Sequence, residues 1–139
     1  MRHNSVIENP RKSGGFTLIE LMMVIVIVGI LMGVALPAYN KQLVRGKRIA
    51  AQAEMLDIAN RQQQYLLTNR AYFDKTILLA SGFVLDPDVS ANYTYTVTVG
   101  AGAAPTYLIT FTPYGGQASD VELTLDEQGV GEPADKWDR

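Results

Sequence analysis

The sequence predicts an α+β protein, with one long N-terminal helix packed on a small antiparallel β-sheet. Three observations predict it. Residues 16–36 form an apolar run interrupted by Thr17 and Glu20. Beyond Pro37, apolar residues keep recurring at three- and four-residue steps, the spacing of one helix face. After residue 92 the period becomes two, with aromatic and β-branched residues alternating with threonines, as in a half-buried strand.

At 139 residues the chain has room for one modest domain and an appendage. Its net charge of −2 hides a division. Between Lys41 and Lys75 the bases Lys41, Arg45, Lys47, Arg48, Arg61, Arg70 and Lys75 face the acids Glu54, Asp57 and Asp74. From Asp86 onward the balance reverses, and only Lys136 and Arg139 answer the carboxylates. There is no cysteine, which excludes a disulfide framework and a thiol nucleophile. The single histidine, His3, lies ahead of the apolar run. If that leader is removed, a Ser-His-Asp or Cys-His constellation is excluded, and so are most transition-metal sites. No cofactor is expected and an enzyme is the poorer reading.

The leader, residues 1–15, is polar and carries Arg2, Arg11 and Lys12 against Glu8. At about 1.5 Å rise per residue, the helix over 16–36 spans roughly the ~30 Å of a bilayer core. The basic leader would stay cytoplasmic and the remainder would lie outside, although Lys41, Arg45, Lys47 and Arg48 weaken that inference. A plain anchor, or a secretory signal cut after the small residues Gly33-Val34-Ala35, leaves Glu20 unexplained. An ionisable residue inside a membrane helix is unfavourable by about 2.5–3.5 kcal/mol at its centre, less near an end. A cut between Gly15 and Phe16 would supply a partner: a new α-amino group four residues ahead of Glu20. That amine could pair with its own Glu20 or with a neighbour's, and a subunit out of register would bury an unpaired charge. Glu20 therefore reads as an assembly device.

The stretch "GGFTLIEL", continued through the apolar run to Pro37, resembles the class III signal of type IV pilins and pseudopilins. The resemblance implies the type IV pilin fold, cleavage after Gly15 by a prepilin peptidase, N-methylation of Phe16, and use of Glu20 in filament assembly. Within the run, Gly29 and Gly33 form a small-xxx-small pair that lets helices approach closely. Pro37 has no N–H to offer the carbonyl of Gly33, so a bend or loosening is expected there. In pilins, melting between such glycine and proline positions accompanies filament packing.

Beyond Pro37, Ile49, Ala53, Leu56, Ala59 and Leu66 are the expected buried line, with Gln52, Arg61 and Gln63 off it. The helix is expected to end near Asn69. The cations from Lys41 to Arg48 read as a solvated helix face or as a basic stripe facing acidic headgroups, DNA or a neighbouring subunit's acidic head, the last being the favoured pairing. In the head, residues 93–99 ("YTYTVTV") and 106–111 ("TYLITF") predict a hairpin, and 121–125 ("VELTL") a third strand. Between them and the helix, residues 72–90 show little regular pattern. Asp86, Asp88 and the acids from Asp120 to Glu127 lack EF-hand spacing and read as surface turns. Tyr65, Tyr72, Tyr93, Tyr95, Tyr107 and Tyr114 could stack on single-stranded DNA, but their spacing reads as core.

The segments "RQQQYLLTNRAYF", "YLITFTPYGGQASD" and "LTLDEQGV" are similar to the minor-pilin group often called PilE. Such pilins usually carry two cysteines that staple the C-terminal region, and this chain has neither. Losing such a staple typically removes about 2–4 kcal/mol, and burial of Trp137 is the expected substitute.

The organisation expected from the resemblance is a leader at 1–15, a membrane and filament-core helix at 16–36, and an amphipathic helix at 37–69. A connecting loop follows at 70–92, then the sheet and tail at 93–139. The function implied is that of a type IV pilus subunit, a minor one supporting assembly. Its partners would be the prepilin peptidase, other pilins, the pilus platform and motor machinery, and inner-membrane lipid before assembly. The subunit would pass from the inner membrane to a cell-surface pilus. The alternatives are a type II secretion pseudopilin, a pilus-borne DNA-uptake receptor, which the acidic head disfavours, and a periplasmic domain released after Ala35.

Overall fold

The apolar periodicity of the first half of the chain becomes a single helix. In the computed structural model, which describes residues 15–137, α1 runs over Leu18–Asn69. Two short helices follow, α2 at Lys75–Ala80 and α3 at Pro87–Ser90, then four strands: β1 at Tyr93–Val99, β2 at Tyr107–Pro113, β3 at Leu123–Asp126 and β4 at Gly131–Glu132. The strands form an antiparallel sheet in sequence order, with Tyr95 opposite Phe111 and Phe111 opposite Leu123. The protein is α+β, consistent with the type IV pilin fold. Two compact units divide it within α1, Met1–Tyr39 and Asn40–Arg139.

In the first unit, α1 is long and apolar enough to cross a membrane. The backbone stays helical through Gly29, Gly33 and Pro37. A Cβ placed at either glycine would meet nothing within 4 Å in the isolated chain, so any packing role for them lies between chains.

In the second unit, the alternation of β1 sets Tyr93, Tyr95 and Val97 inward and the threonines outward. Tyr107, Ile109 and Phe111 of β2 and Leu123 and Leu125 of β3 complete the inner face. Against it pack Ala51, Met55 and Ile58 of α1, with Phe73, Leu78, Phe83, Leu85 and Val89. Tyr95 and Phe111 meet at 5.6 Å between centroids with their rings tilted by 30°, and Tyr72 meets Tyr107 edge-on at 4.7 Å.

The buried line of α1 differs from the one periodicity predicts. Ile49 and Leu56 are 46% and 49% exposed, and Ala53 is exposed too. The buried positions are Ala51, Gln52, Met55, Ile58 and Gln62. Two of these are glutamines that an apolar template assigns to solvent. Each earns its burial by bonding backbone that would otherwise be unpaired. Gln62 Nε2 donates to the Phe73 carbonyl (2.7 Å) while its Oε1 accepts the Phe73 N–H (2.9 Å). Gln52 Nε2 donates to the carbonyl of Lys136 (2.8 Å). A Gln62→Ala substitution is therefore expected to destabilise the head by about 2–4 kcal/mol, since it orphans a buried donor and a buried acceptor. Urea unfolding followed by circular dichroism would measure it.

The segment expected to be irregular, 72–90, holds α2 and α3. Asp74 caps α2, its Oδ1 accepting the N–H of Ile77 (3.0 Å), and Asp86 caps α3 with Pro87 in the first turn. Leu78 and Val89 anchor the two helices in the core. Strand β3 begins two residues later than predicted, at Leu123, leaving Val121 half-buried. The two-residue β4 is too short to show in any periodicity.

Candidate functional site

Two places carry chemistry of note: the start of α1, which the sequence singles out, and the junction of α1 with the sheet. The start of α1 is built by a local signal. Thr17 precedes the first helical residue, and its Oγ1 accepts the N–H of Glu20 (3.3 Å). Thr17-Leu18-Ile19-Glu20 thus has the order of a capping box, with Glu20 third in the helix. A carboxylate in the first turn is favoured by the positive end of the helix dipole. Phe16 lies two residues ahead of the helix, 82% exposed. Gly15 and Phe16 are non-helical, and the leader ahead of them lies outside the described residues. Every large apolar side chain from Phe16 to Leu36 is exposed.

The second place is one that sequence reasoning missed. Arg48 of α1 meets Asp120, which follows the short 3₁₀ turn Gly115–Gln117, in a bidentate ion pair. Arg48 Nε lies 3.0 Å from Asp120 Oδ2, and the side chains are 15% and 3% exposed. The same carboxylate accepts the hydroxyl of Tyr93 (2.8 Å) and the Nε2 of Gln117 (2.9 Å), and Gln117 also donates to the carbonyl of Val44 (2.8 Å). Burial would raise the pKa of Asp120. Hydrogen bonds from Arg48, Tyr93, the Val121 backbone and Gln117 outweigh it and lower the value to about 2. Burial, reinforced by that neighbouring carboxylate, pushes the Tyr93 hydroxyl up. No local motif announces this node, because its members lie far apart in sequence.

Other charges are also spent within the chain. Lys47 Nζ donates to Asn92 Oδ1 (2.9 Å), so it and Arg48 serve the head itself rather than waiting for a neighbour. Lys75 Nζ donates to the Tyr95 carbonyl (2.8 Å) and lies 4.2 Å from that ring's centroid. Arg61 pairs with Asp57 (2.9 Å). Asp86 Oδ1 accepts the Asp88 N–H, and Asp126 Oδ1 accepts the N–H groups of Gln128 and Val130, so these acids shape turns. Tyr93, Tyr95 and Tyr107 are buried, with Tyr107 raised by burial to about 12. Tyr65 and Tyr72 pack half-buried against the core, whereas Tyr114 is exposed and donates its hydroxyl to the Ser90 carbonyl.

The tail is held without cysteines, and Trp137 is half-buried rather than enclosed. Its indole lies over Gly131, where a Cβ would overlap the ring, and its Nε1 donates to the Glu132 carbonyl (3.3 Å). Gln52 ties down the preceding carbonyl. Gly131→Val is expected to displace the indole into water. Trp137 is the single tryptophan, so a red shift in emission, absent in the parent, would report it directly.

Comparison with known proteins agrees with this architecture. Residues 37–123 match the family model described as type IV minor pilin ComP, DNA uptake sequence receptor. Residues 10–36 match the prokaryotic N-terminal methylation motif. The chain is 34% identical over 94 residues to the type IV major pilin protein PilA of Myxococcus xanthus (strain DK1622), covering 68% of this chain and 40% of that protein. It is 36% identical over 92 residues to the fimbrial protein EcpC of Eikenella corrodens, covering 66% and 56%. A fimbrial protein of Moraxella nonliquefaciens is 46% identical over 56 residues, 40% of this chain and 34% of that one. The matched regions thus span between about a third and just over half of the length of these relatives. No solved structure matches the chain. An N-terminal methylation motif leading into a pilin-family head, on one long helix with a small antiparallel sheet, places this chain in the type IV minor pilin family.

Proposed function

We propose that this chain is a minor subunit of a type IV pilus, stored in the inner membrane and then built into the filament. The observation that carries it is the bare apolar half of α1, with Glu20 in its first turn and the Gly15-Phe16 pair just ahead. An unbroken apolar surface of that length does not stay in water. Lipid covers it before assembly and other pilins cover it afterwards. A prepilin peptidase cuts after Gly15 and the Phe16 amine is methylated. Glu20 then sets the axial register, while Gly29, Gly33 and Pro37 allow close packing and local loosening in the filament. The platform and motor machinery supply the force. The subunit's work is mechanical rather than catalytic.

The test is intact-mass analysis and N-terminal sequencing of the protein from membranes, with and without the prepilin peptidase. Methylated Phe16 that disappears without the peptidase is the expected result. An N-terminus at Leu36, or an uncut Met1, overturns the reading.

A second reading, a DNA-uptake receptor carried on the pilus, is favoured by the description of the matched family. The engagement of Lys47, Arg48, Arg61 and Lys75 within the head weighs against a broad basic face. Binding of duplex DNA that weakens steeply with salt would support this second role. Its absence at low salt would remove it.

A further inference from the structure

A cleft of about 330 Å³ lies between the last turns of α1 and the helix α2. It is confined to the second compact unit, so nothing about it depends on where the apolar half of α1 is held. Tyr65, Phe73, Ile77 and Leu78 form its apolar wall, with Ile77 42% exposed. Thr68, Asn69 and Ser81 supply polar lining, and each has spent a donor on a backbone carbonyl. The Thr68 hydroxyl donates to Gln64 (3.3 Å), the Asn69 amide to Tyr65 (3.2 Å) and the Ser81 hydroxyl to Leu78 (2.6 Å). What remains on these three side chains is mainly acceptor capacity. The Gln64 amide and the Tyr65 hydroxyl, also in the lining, have no partner among the described residues. The one cation of the lining is answered, since Arg61 pairs with Asp57 (2.9 Å) and its guanidinium lies 5.2 Å from the centre of the Phe83 ring. No carboxylate lines the cleft.

We propose that this cleft binds one neutral pyranose ring, as a free sugar or as the end of a glycan chain. A ligand that covers the polar lining must bring several donors, because an acceptor buried without one is unfavourable. A sugar carries a hydroxyl on most of its ring carbons, and each hydroxyl donates one hydrogen bond while accepting others. Such a ring can donate to Thr68, Asn69 and Ser81 and accept from the Gln64 amide and the Tyr65 hydroxyl. A peptide brings a carbonyl with every N–H, and acceptors are what the lining already has in excess. An anion finds no unanswered charge, since Arg61 is matched by Asp57. The C–H faces of a pyranose suit the wall of Tyr65 and Ile77, where a hydrated ion or a phosphate gains nothing. The volume lies at the lower end of small-molecule sites, which span about 300–1,000 Å³, and that limits the occupant to one ring.

The full-length protein, in micelles of a non-glycosidic detergent, would be screened by saturation-transfer NMR. The probes are methyl α-glucoside, methyl α-galactoside and N-acetylglucosamine, with glucuronate and N-acetylglycine amide as the anionic and peptide counter-probes. A ligand of this size and ordinary efficiency binds at about 1–10 mM. At least one neutral sugar is expected to bind in that range, well ahead of both counter-probes. Loss of one neutral hydrogen bond weakens binding about two- to tenfold. Gln64→Ala and Tyr65→Phe are each expected to weaken the preferred sugar by that factor, and together to take it below detection. Gln64 is exposed and Tyr65→Phe keeps the ring, so melting followed by circular dichroism should be little changed in either variant. Thr96→Val, at an exposed position on β1, should bind as the parent does. Binding of maltotriose as well as methyl α-glucoside supports the site as one for chain ends; binding of the monosaccharide alone supports it as one for free sugar. No transfer to any neutral sugar, transfer to the counter-probes as strong as to the sugars, or binding that survives the double substitution overturns the proposal.

Discussion

Replacing Asp120 by Ala is expected to destabilise the head by about 3–5 kcal/mol, the usual range when one member of a buried ion pair is removed. The size follows from what is left behind. Arg48 loses a bidentate partner while 15% exposed, the Tyr93 hydroxyl loses its acceptor, and one of the groups fixing Gln117 disappears. Set against a typical domain stability of about 5–15 kcal/mol, that leaves the head marginal. Asp120→Asn keeps the shape and an acceptor, so it should be clearly milder than Ala. Arg48→Ala should resemble Asp120→Ala, and the double variant should be less damaging than the sum, because both remove the same pair. Urea unfolding of the four proteins completes that cycle. Strictly additive losses would show that the pair is not coupled.

The same node predicts an acid response. The pKa of Asp120 is depressed in the folded head to about 2 from an ordinary 3.8. A depressed carboxylate contributes stability that is fully present above its unfolded value and lost as pH falls through the folded one. The contribution, of the order of 2–2.5 kcal/mol, should therefore be intact above about pH 4 and be largely lost by pH 2. In Asp120→Asn the stability difference between pH 5 and pH 2 should shrink by that amount.

Replacing Glu20 by Ala is expected to lower incorporation into filaments by at least tenfold, with cleavage after Gly15 retained. A tenfold effect needs only about 1.4 kcal/mol of lost docking energy. The proposed charge pair between the Phe16 amine and a neighbour's Glu20, away from water, would exceed that readily. Glu20→Gln should not rescue assembly, because the neutral amide keeps the shape and lacks the charge. The head's stability should be unchanged, since Glu20 belongs to the separate compact unit ahead of Asn40 and its N–H bonds locally to Thr17. Quantifying the variant in sheared filaments against the membrane pool would decide it. Normal incorporation of the Ala variant would remove Glu20 from the assembly mechanism.

The sequence by itself determined the features that act over a few residues. Residues 16–36 are apolar without a break long enough to end a helix, and Tyr93 to Val99 alternate strictly, so period alone establishes the α+β class and the inward face of β1. The N-terminal methylation motif matched over residues 10–36 is legible for the same reason, because the proposed cleavage after Gly15 and the proposed role of Glu20 depend on local spacing alone. The short helices of 72–90 could have been read from Asp74 and Asp86-Pro87, which are ordinary capping signals.

Only the tertiary structure decided which face of α1 the head covers. Ile49 and Leu56 looked inward by hydrophobicity, yet Gln52 and Gln62 took the buried line, because the backbone of Phe73 and Lys136 needed partners there. It also decided that Arg48 belongs to Asp120, 72 residues away, and that Trp137 rests on Gly131. Pairings of that kind depend on which surfaces the folded chain brings together. Hydrophobic period measures the average preference of a side chain for water; it carries no information on a polar group whose burial is made favourable by a distant partner.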